Sequence, residues 1–186
     1  MLPEQIDVVV GDITTKKVDV IVNAANREML GGGGVDGAIH RAAGPELRYE
    51  CLRLRNCAEF YPGLMIGDVA VTWGYNLPCK YVFHTVGPIF DERSKEDQYE
   101  QLKDCYKNCL EKAEKMGCKS IAFPAISTGA YGFPKTSAAQ VIAEVFFHRN
   151  SKVAVKFVFF SEEDADTFRS YFQSRTRELS RMNMSL

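Results

Sequence analysis

The sequence predicts an α/β domain, a β-sheet covered by helices on both faces with ligand loops at the strand ends. Three observations carry this. Short β-branched runs alternate with longer segments whose apolar residues recur every three or four positions. Two glycine-rich segments each fall between a strand signal and a helix signal. The chain has 186 residues without repeat, long linker or low-complexity segment. That length suits one domain over 1–186, which would bury roughly 70% of the surface its unfolded chain exposes.

The elements follow in order. Ile6–Val10 is a β-branched run closed by the turn signal Gly11-Asp12. Val18–Val22 is a second, ending at Asn23; both read as buried strands, in a hairpin-like opening of the chain. Four successive glycines, Gly31 to Gly34, fit no regular element. They mark backbone that needs unusual dihedrals or close approach to a ligand. A helix is expected from near Val35, carrying Ala38, Ile39, Ala42 and Ala43 and stopping at Gly44-Pro45. A second covers Glu46 to Asn56. Val69–Trp73 and Tyr81–Thr85 read as strands.

The clearest helix spans Asp97 to Met116. Tyr99, Leu102, Cys105, Tyr106, Cys109, Leu110 and Ala113 share its apolar stripe, and Gly117 supplies the stop. Ser120–Phe123 is a short strand ended by Pro124. A helix over Lys135–Phe147, a strand over Val155–Phe160 and a last helix over Glu163–Arg175 complete the pattern. Ser161 is placed to cap that helix, with Glu162, Glu163 and Asp164 at the positive end of its dipole. The tail from Arg181 to Leu186 is expected to fray.

Composition narrows the function classes. Hydrophobic residues make up 46% and charged residues 25%, with 23 basic against 24 acidic side chains and a net charge of -1. No basic excess or stripe supports strong nucleic-acid binding. No apolar run approaches the roughly 20 residues of a membrane span. Met1 to Gln5 carry no basic region and no apolar signal core, so a cytoplasmic setting is the expectation, and a monomer is expected as well. The six cysteines form no C-x-x-C pair and the three histidines are scattered, which fits neither a disulfide framework nor zinc spacing. No metal and no cofactor are expected. Cys105 and Cys109, one helical turn apart, read as small buried residues.

The loops carry the chemistry. Gly31 to Gly34 precede a helix N-terminus, where successive backbone N–H groups and the helix dipole cradle an anion. The spacing matches neither G-x-G-x-x-G nor the lysine-bearing phosphate loop. An anion site without that lysine points to holding a diphosphate rather than transferring a phosphoryl group. Ser127-Thr128-Gly129-Ala130-Tyr131-Gly132 forms a second such loop. Two cradles at equivalent strand ends suit a diphosphate that bridges two nucleoside-like halves. Ser127 lacks the G-x-S-x-G setting of a nucleophile.

Four positions remain open on the residues alone. Asp12 either caps its turn or accepts hydrogen bonds from an amino group or ribose hydroxyls. Asn26 either positions a ribose hydroxyl or satisfies loop backbone. Asp36 either stabilises the helix start or stands beside the ligand to orient or activate water. Phe159 and Phe160 point to opposite faces of their strand; each can pack in the core, or the outermost can stack on adenine.

Taken together, Gly11-Asp12-Ile13-Thr14, Val22-Asn23-Ala24-Ala25-Asn26, Gly31 through Gly37 with His40, Gly74-Tyr75-Asn76-Leu77-Pro78, His84-Thr85-Val86-Gly87-Pro88 and Phe123 through Gly132 resemble the macrodomain family, and within it the MacroD-type branch. The match covers about residues 6 to 175 in family order. The resemblance implies a three-layer α/β/α fold with a mixed, mainly parallel sheet, ADP-ribose as ligand or product, and no metal. It implies hydrolysis of ADP-ribose esters on carboxylate-modified proteins and deacetylation of O-acetyl-ADP-ribose. It would set Asp12 on the adenine amino group with Ile13 beside the base, and Phe160 over the adenine. It would place the diphosphate between Gly32, Gly33, Gly34 and Val35 on one side and Ser127, Thr128, Gly129, Ala130 and Tyr131 on the other. Asn26 would hold the distal ribose, and Asp36 would assist water or the substrate's own hydroxyls; these two are the catalytic candidates. The rival readings are a module that binds ADP-ribosylated proteins without turnover, and an RNA-associated or phosphoesterase role.

Overall fold

The computed structural model describes residues 5–147 and 149–184. Met1 to Glu4, His148, and Ser185 and Leu186 of the tail expected to fray lie outside the described residues. The strands are β1 (Ile6–Val10), β2 (Val20–Ala24), β3 (Val69–Trp73), β4 (Tyr81–Thr85), β5 (Ser120–Phe123) and β6 (Ala154–Phe159). The α-helices are α1 (Gly34–Ala43), α2 (Pro45–Arg55), α3 (Lys95–Lys115), α4 (Lys135–Phe147) and α5 (Glu162–Asn183). The strands form one sheet in the order β1-β6-β5-β2-β4-β3. Among the described residues only the β3–β4 pair is antiparallel, so the sheet is mixed and mainly parallel.

The two-residue side-chain period of the strands divides the core into two layers. Val20 and Val22 of β2, Ile121 and Phe123 of β5, and Val155, Phe157 and Phe159 of β6 face α3, α4 and α5. Ile21, Ala122, Val82 and Val158 face the opposite way, against Ile39 and Ala43 of α1 and Leu47 and Cys51 of α2. The result is the three-layer α/β/α arrangement. Cys105 and Cys109 are buried on α3 as free thiols, and burial pushes the Cys105 thiol up to about 12.

The opening is not a hairpin. β1 stands at one edge beside β6, while β2 lies between β5 and β4. After β1, Asp12 caps a 3₁₀ turn over Ile13–Thr15 that takes the chain off the strand line. Val20, Ile21 and Val22 are then buried in succession. A run buried on both faces belongs in the middle of a parallel sheet, not in a two-stranded pair. β2 also begins two residues later than expected. Asp19 ahead of it is taken up between neighbours: its carbonyl accepts from the N–H groups of Lys80 and Tyr81, and its carboxylate from that of Lys119.

The last helix runs past the expected Arg175 to Asn183. Its buried residues end at Phe172, so the apolar period gives out there. The helix continues because nothing breaks it and polar pairs carry it. Arg175 bonds Glu144 on α4 and Glu178 one turn on.

Phe157 is the hub of the thicker layer. It is 1% exposed, with ring centroids 5.7 Å from Phe123, 5.4 Å from Phe146 and 5.1 Å from Phe168. Phe157→Ala should therefore lower the unfolding free energy by about 3–5 kcal/mol in chemical denaturation. A loss under about 1 kcal/mol would show that this cluster collapses around the void and is not the packing centre.

Candidate active site

A cleft of about 340 Å³ opens at the carboxyl ends of β1, β2, β5 and β6. Its position follows from the chain path. β2 leads to α1 on one face of the sheet, and its neighbour β5 leads to α4 on the other. Where adjacent parallel strands send their connections apart, the loops leave a crevice between them.

One wall is the start of α1. Gly33 stands at its N-cap and no side chain caps the helix, so its first N–H groups are free to meet an anion. The glycines are needed for the close fold of this loop. Gly34 has φ +57, and a Cβ on Gly37 would stand 2.4 Å from the Gly32 carbonyl oxygen. The facing wall is the loop after β5. Ser127 takes φ +65, and its carbonyl accepts from the N–H of Phe133, closing the loop on itself. Among the described residues, the N–H groups of Gly129, Ala130 and Tyr131 make no backbone hydrogen bond outside helices and strands. Gly32 to Val35 and Gly129 to Tyr131 all line the cleft.

Asp36 and Asn26 lie at one end of these walls. Asp36, in the first turn of α1, is only 4% exposed. Its Oδ1 accepts from Asn23 Nδ2 at 2.7 Å and lies 3.4 Å from His40 Nε2. Its Oδ2 is buried without a partner. A Cβ on Gly32 would stand 3.2 Å from that oxygen and 3.3 Å from Asn26 Nδ2, so both polar groups border the same glycine. Asn26 satisfies loop backbone: Oδ1 accepts from the N–H of Met29, and Nδ2 donates to the Gly31 carbonyl at 3.3 Å.

Burial raises the Asp36 pKa, against the opposing hydrogen bond from Asn23 and the opposing charge of His40. Burial likewise lowers that of His40, helped by Arg48 and opposed by Asp36. Desolvation outweighs mutual attraction for both partners, so the carboxyl holds its proton to higher pH than an exposed aspartate.

The other end of the cleft, toward β1 and β6, carries Ile13, Val158 and Phe160 beside Asp164. Phe160 lines it and is 76% exposed, while Phe159 is buried with its ring 5.0 Å from that of Phe168. Ile13 is buried at the floor. Asp12 takes the capping role: its Oδ1 accepts from the N–H and the hydroxyl of Thr14. Its neighbours Gly11 and Ile13 line the cleft and it does not. Thr128 departs from the phosphate-contact expectation. Its N–H and its hydroxyl both donate to the Ala125 carbonyl, and it lines a small hollow behind the loop instead. The Ser127 hydroxyl is buried without a partner, 2.1 Å from where a Cβ on Gly87 would lie, so only glycine fits there.

Three side chains outside the expected set complete the site: Asn23, His40 and His84. Asn23 Nδ2 also lies 3.1 Å from His84 Nδ1, and His84 Nε2 lies 2.9 Å from Thr72 Oγ1. His84 thus engages β2 and β3 and not Ser127. The available signal was an asparagine and a histidine inside otherwise apolar strands. Among the described residues, no group of three or more His, Cys, Asp or Glu side chains could hold a metal ion.

Known proteins are similar to this chain in sequence and in fold. Residues 22–142 match the Macro domain family. An O-acetyl-ADP-ribose deacetylase of Enterobacter sp. (strain 638) is 46% identical over 172 residues, covering 88% of this chain and 91% of that protein. The ADP-ribose glycohydrolase MACROD1 of Bos taurus is 49% identical over 141 residues, covering 76% of this chain and 41% of that protein. A mutant Oceanobacillus iheyensis macrodomain with ADPR, 44% identical, superposes with a TM-score of 0.84 over 94% of this chain and 92% of that one. The family match, the sequence identity and the superposition agree, and the chain belongs to the macrodomain family.

Proposed function

We propose that this chain hydrolyses the ester between ADP-ribose and a carboxyl group, on mono-ADP-ribosylated proteins and on O-acetyl-ADP-ribose. The observation that carries the reading is the Asp36 carboxylate at one end of two backbone anion cradles, one oxygen tied to Asn23 and the other without a partner. Relatives named for ADP-ribose ester and glycosidic hydrolysis support it.

In this reading the diphosphate lies between the α1 N-terminus and the N–H groups of Gly129, Ala130 and Tyr131. Ile13 floors the adenine end and Phe160 covers it. Asn26 and Asp36 meet the distal ribose. Water adds to the acyl carbon, the ribose oxygen leaves with a proton, and free ADP-ribose and a carboxylic acid result. Asp36 Oδ2 orients that water or the ribose hydroxyl beside it, and a raised pKa makes it a stronger base than an exposed aspartate. Holding both reactants in place supplies much of the rate.

The test is release of ADP-ribose from a carboxylate-modified protein and from O-acetyl-ADP-ribose, alongside calorimetric binding of ADP-ribose. Asp36→Ala should lose about 100-fold or more in kcat while retaining most of its affinity. Unchanged turnover in that variant would falsify a catalytic role for Asp36. A wild type that binds ADP-ribose and releases nothing would mark a reader module instead.

The same burial has a stability consequence. Because the folded pKa of Asp36 is raised, the native state keeps this proton above the unfolded value of about 3.9, and stability falls as pH rises through the folded pKa. Asp36→Asn removes that loss. Its melting temperature should exceed that of wild type at neutral pH, and the two should converge in acid. A variant that melts below wild type at neutral pH contradicts this electrostatic account.

A further inference from the structure

Behind Asp36 runs a buried polar chain to which the hydrolysis assigns no task. Asn23 on β2 and His84 on β4 are register partners, so their side chains leave the sheet on one face, side by side. Asn23 Nδ2 has two protons and two acceptors, Asp36 Oδ1 and His84 Nδ1. Beyond the ring, His84 Nε2 meets Thr72 Oγ1 at 2.9 Å and Cys51 Sγ at 3.7 Å. Asn23, His84, Thr72 and Cys51 are all buried.

The orientation of the Asn23 amide has a visible cost. Its Oδ1 is buried without a partner, a loss that native structures seldom accept. The opposite orientation would aim Oδ1 at the Asp36 carboxylate. With Nδ2 toward His84 Nδ1 at 3.1 Å, this orientation calls for a ring nitrogen that accepts on that side.

We propose that His84 is a positioning residue: kept as the Nε2–H tautomer, it accepts an Asn23 amide proton at Nδ1, which commits the other amide proton to Asp36 Oδ1 and leaves Asp36 Oδ2 turned to the cleft. Thr72 supports the tautomer by accepting from Nε2–H. The consequence for turnover rests on the ester-hydrolase reading above; the tautomer itself does not. The groups that face the ring are Asn23 from β2, Thr72 from β3, Cys51 from α2 and the His40 ring of α1 at 6.3 Å. Burial, with the nearby His40, lowers the His84 pKa to about 3, so the ring stays neutral across the working range.

The first test needs no turnover. Long-range proton–nitrogen NMR of the histidine rings in wild type should show His84 as the Nε2–H tautomer, unchanged across neutral pH. An Nδ1–H tautomer, or a ring that titrates there, overturns the proposal even if the chain proves to be a reader. The second test is kinetic. His84→Phe should lower kcat about ten-fold or more, with ADP-ribose affinity within about two-fold. His84→Asn, which can place an amide oxygen near the Nδ1 position, should recover most of that rate. Equal rates in wild type and His84→Phe, or equal losses in both variants, overturn the proposal. Should either variant fail to fold, Thr72→Val decides in its place. Mixed His84 tautomers with a lower kcat support the proposal, and an unaltered tautomer with an unaltered kcat refutes it.

Discussion

The hydrogen bond from Asn23 Nδ2 to Asp36 Oδ1 ties the central strand to the first helix, and the site is organised around it. It forms because β2 lies mid-sheet and extends to Ala24, which carries Asn23 to the strand end under α1. It forms also because Gly37 lets α1 close onto the Gly32 carbonyl, bringing Asp36 over the strand. A carboxylate in that position is desolvated, and one hydrogen bond does not offset the burial. The unmatched Oδ2 is the product of the same packing. A buried acceptor without a donor is costly in a folded chain, and such costs gather where a ligand supplies the missing partner.

The anion site is built with very little charge. The chain carries a net charge of -1, and both cleft walls present backbone N–H groups. Fixed dipoles of this kind hold a diphosphate without a lysine that would favour phosphoryl transfer. The two walls come from connections that leave β2 and β5 toward opposite faces, so the same topology that makes three layers also makes the crevice. Polarity then changes along the cleft, from Asn26 and Asp36 at one end to Ile13 and Phe160 at the other.

Much of this was legible in the residues, and the exceptions have physical causes. Among the described residues each strand and α-helix was visible because each has a clear period or a clear stop, while the 3₁₀ turns were not; Gly44 and Gly117, at positive φ, end helices where glycine in the sequence marked the end. Strand order was not legible. Adjacent β-branched runs look alike whether they pair or lie three places apart, and the unbroken apolar run Val20 to Val22 hinted that β2 is central. The glycine loops were legible because glycine clusters have few other uses. Asn23, His40 and His84 were not, because register and helix packing bring them together from three elements. Thr128 turns its donors to the Ala125 carbonyl of its own loop, a competition that composition does not reveal.

The measurement that bears most directly on the account is the pH dependence of kcat for ADP-ribose ester hydrolysis, wild type beside Asp36→Asn. With Asp36 acting on the reacting groups, wild-type kcat rises with pH through an apparent pKa above the ordinary aspartate value of about 3.9, and the limb disappears in the variant along with most of the rate. A limb at the ordinary value, or one that persists unchanged in Asp36→Asn, would contradict the claim that this buried carboxylate acts on the reacting groups.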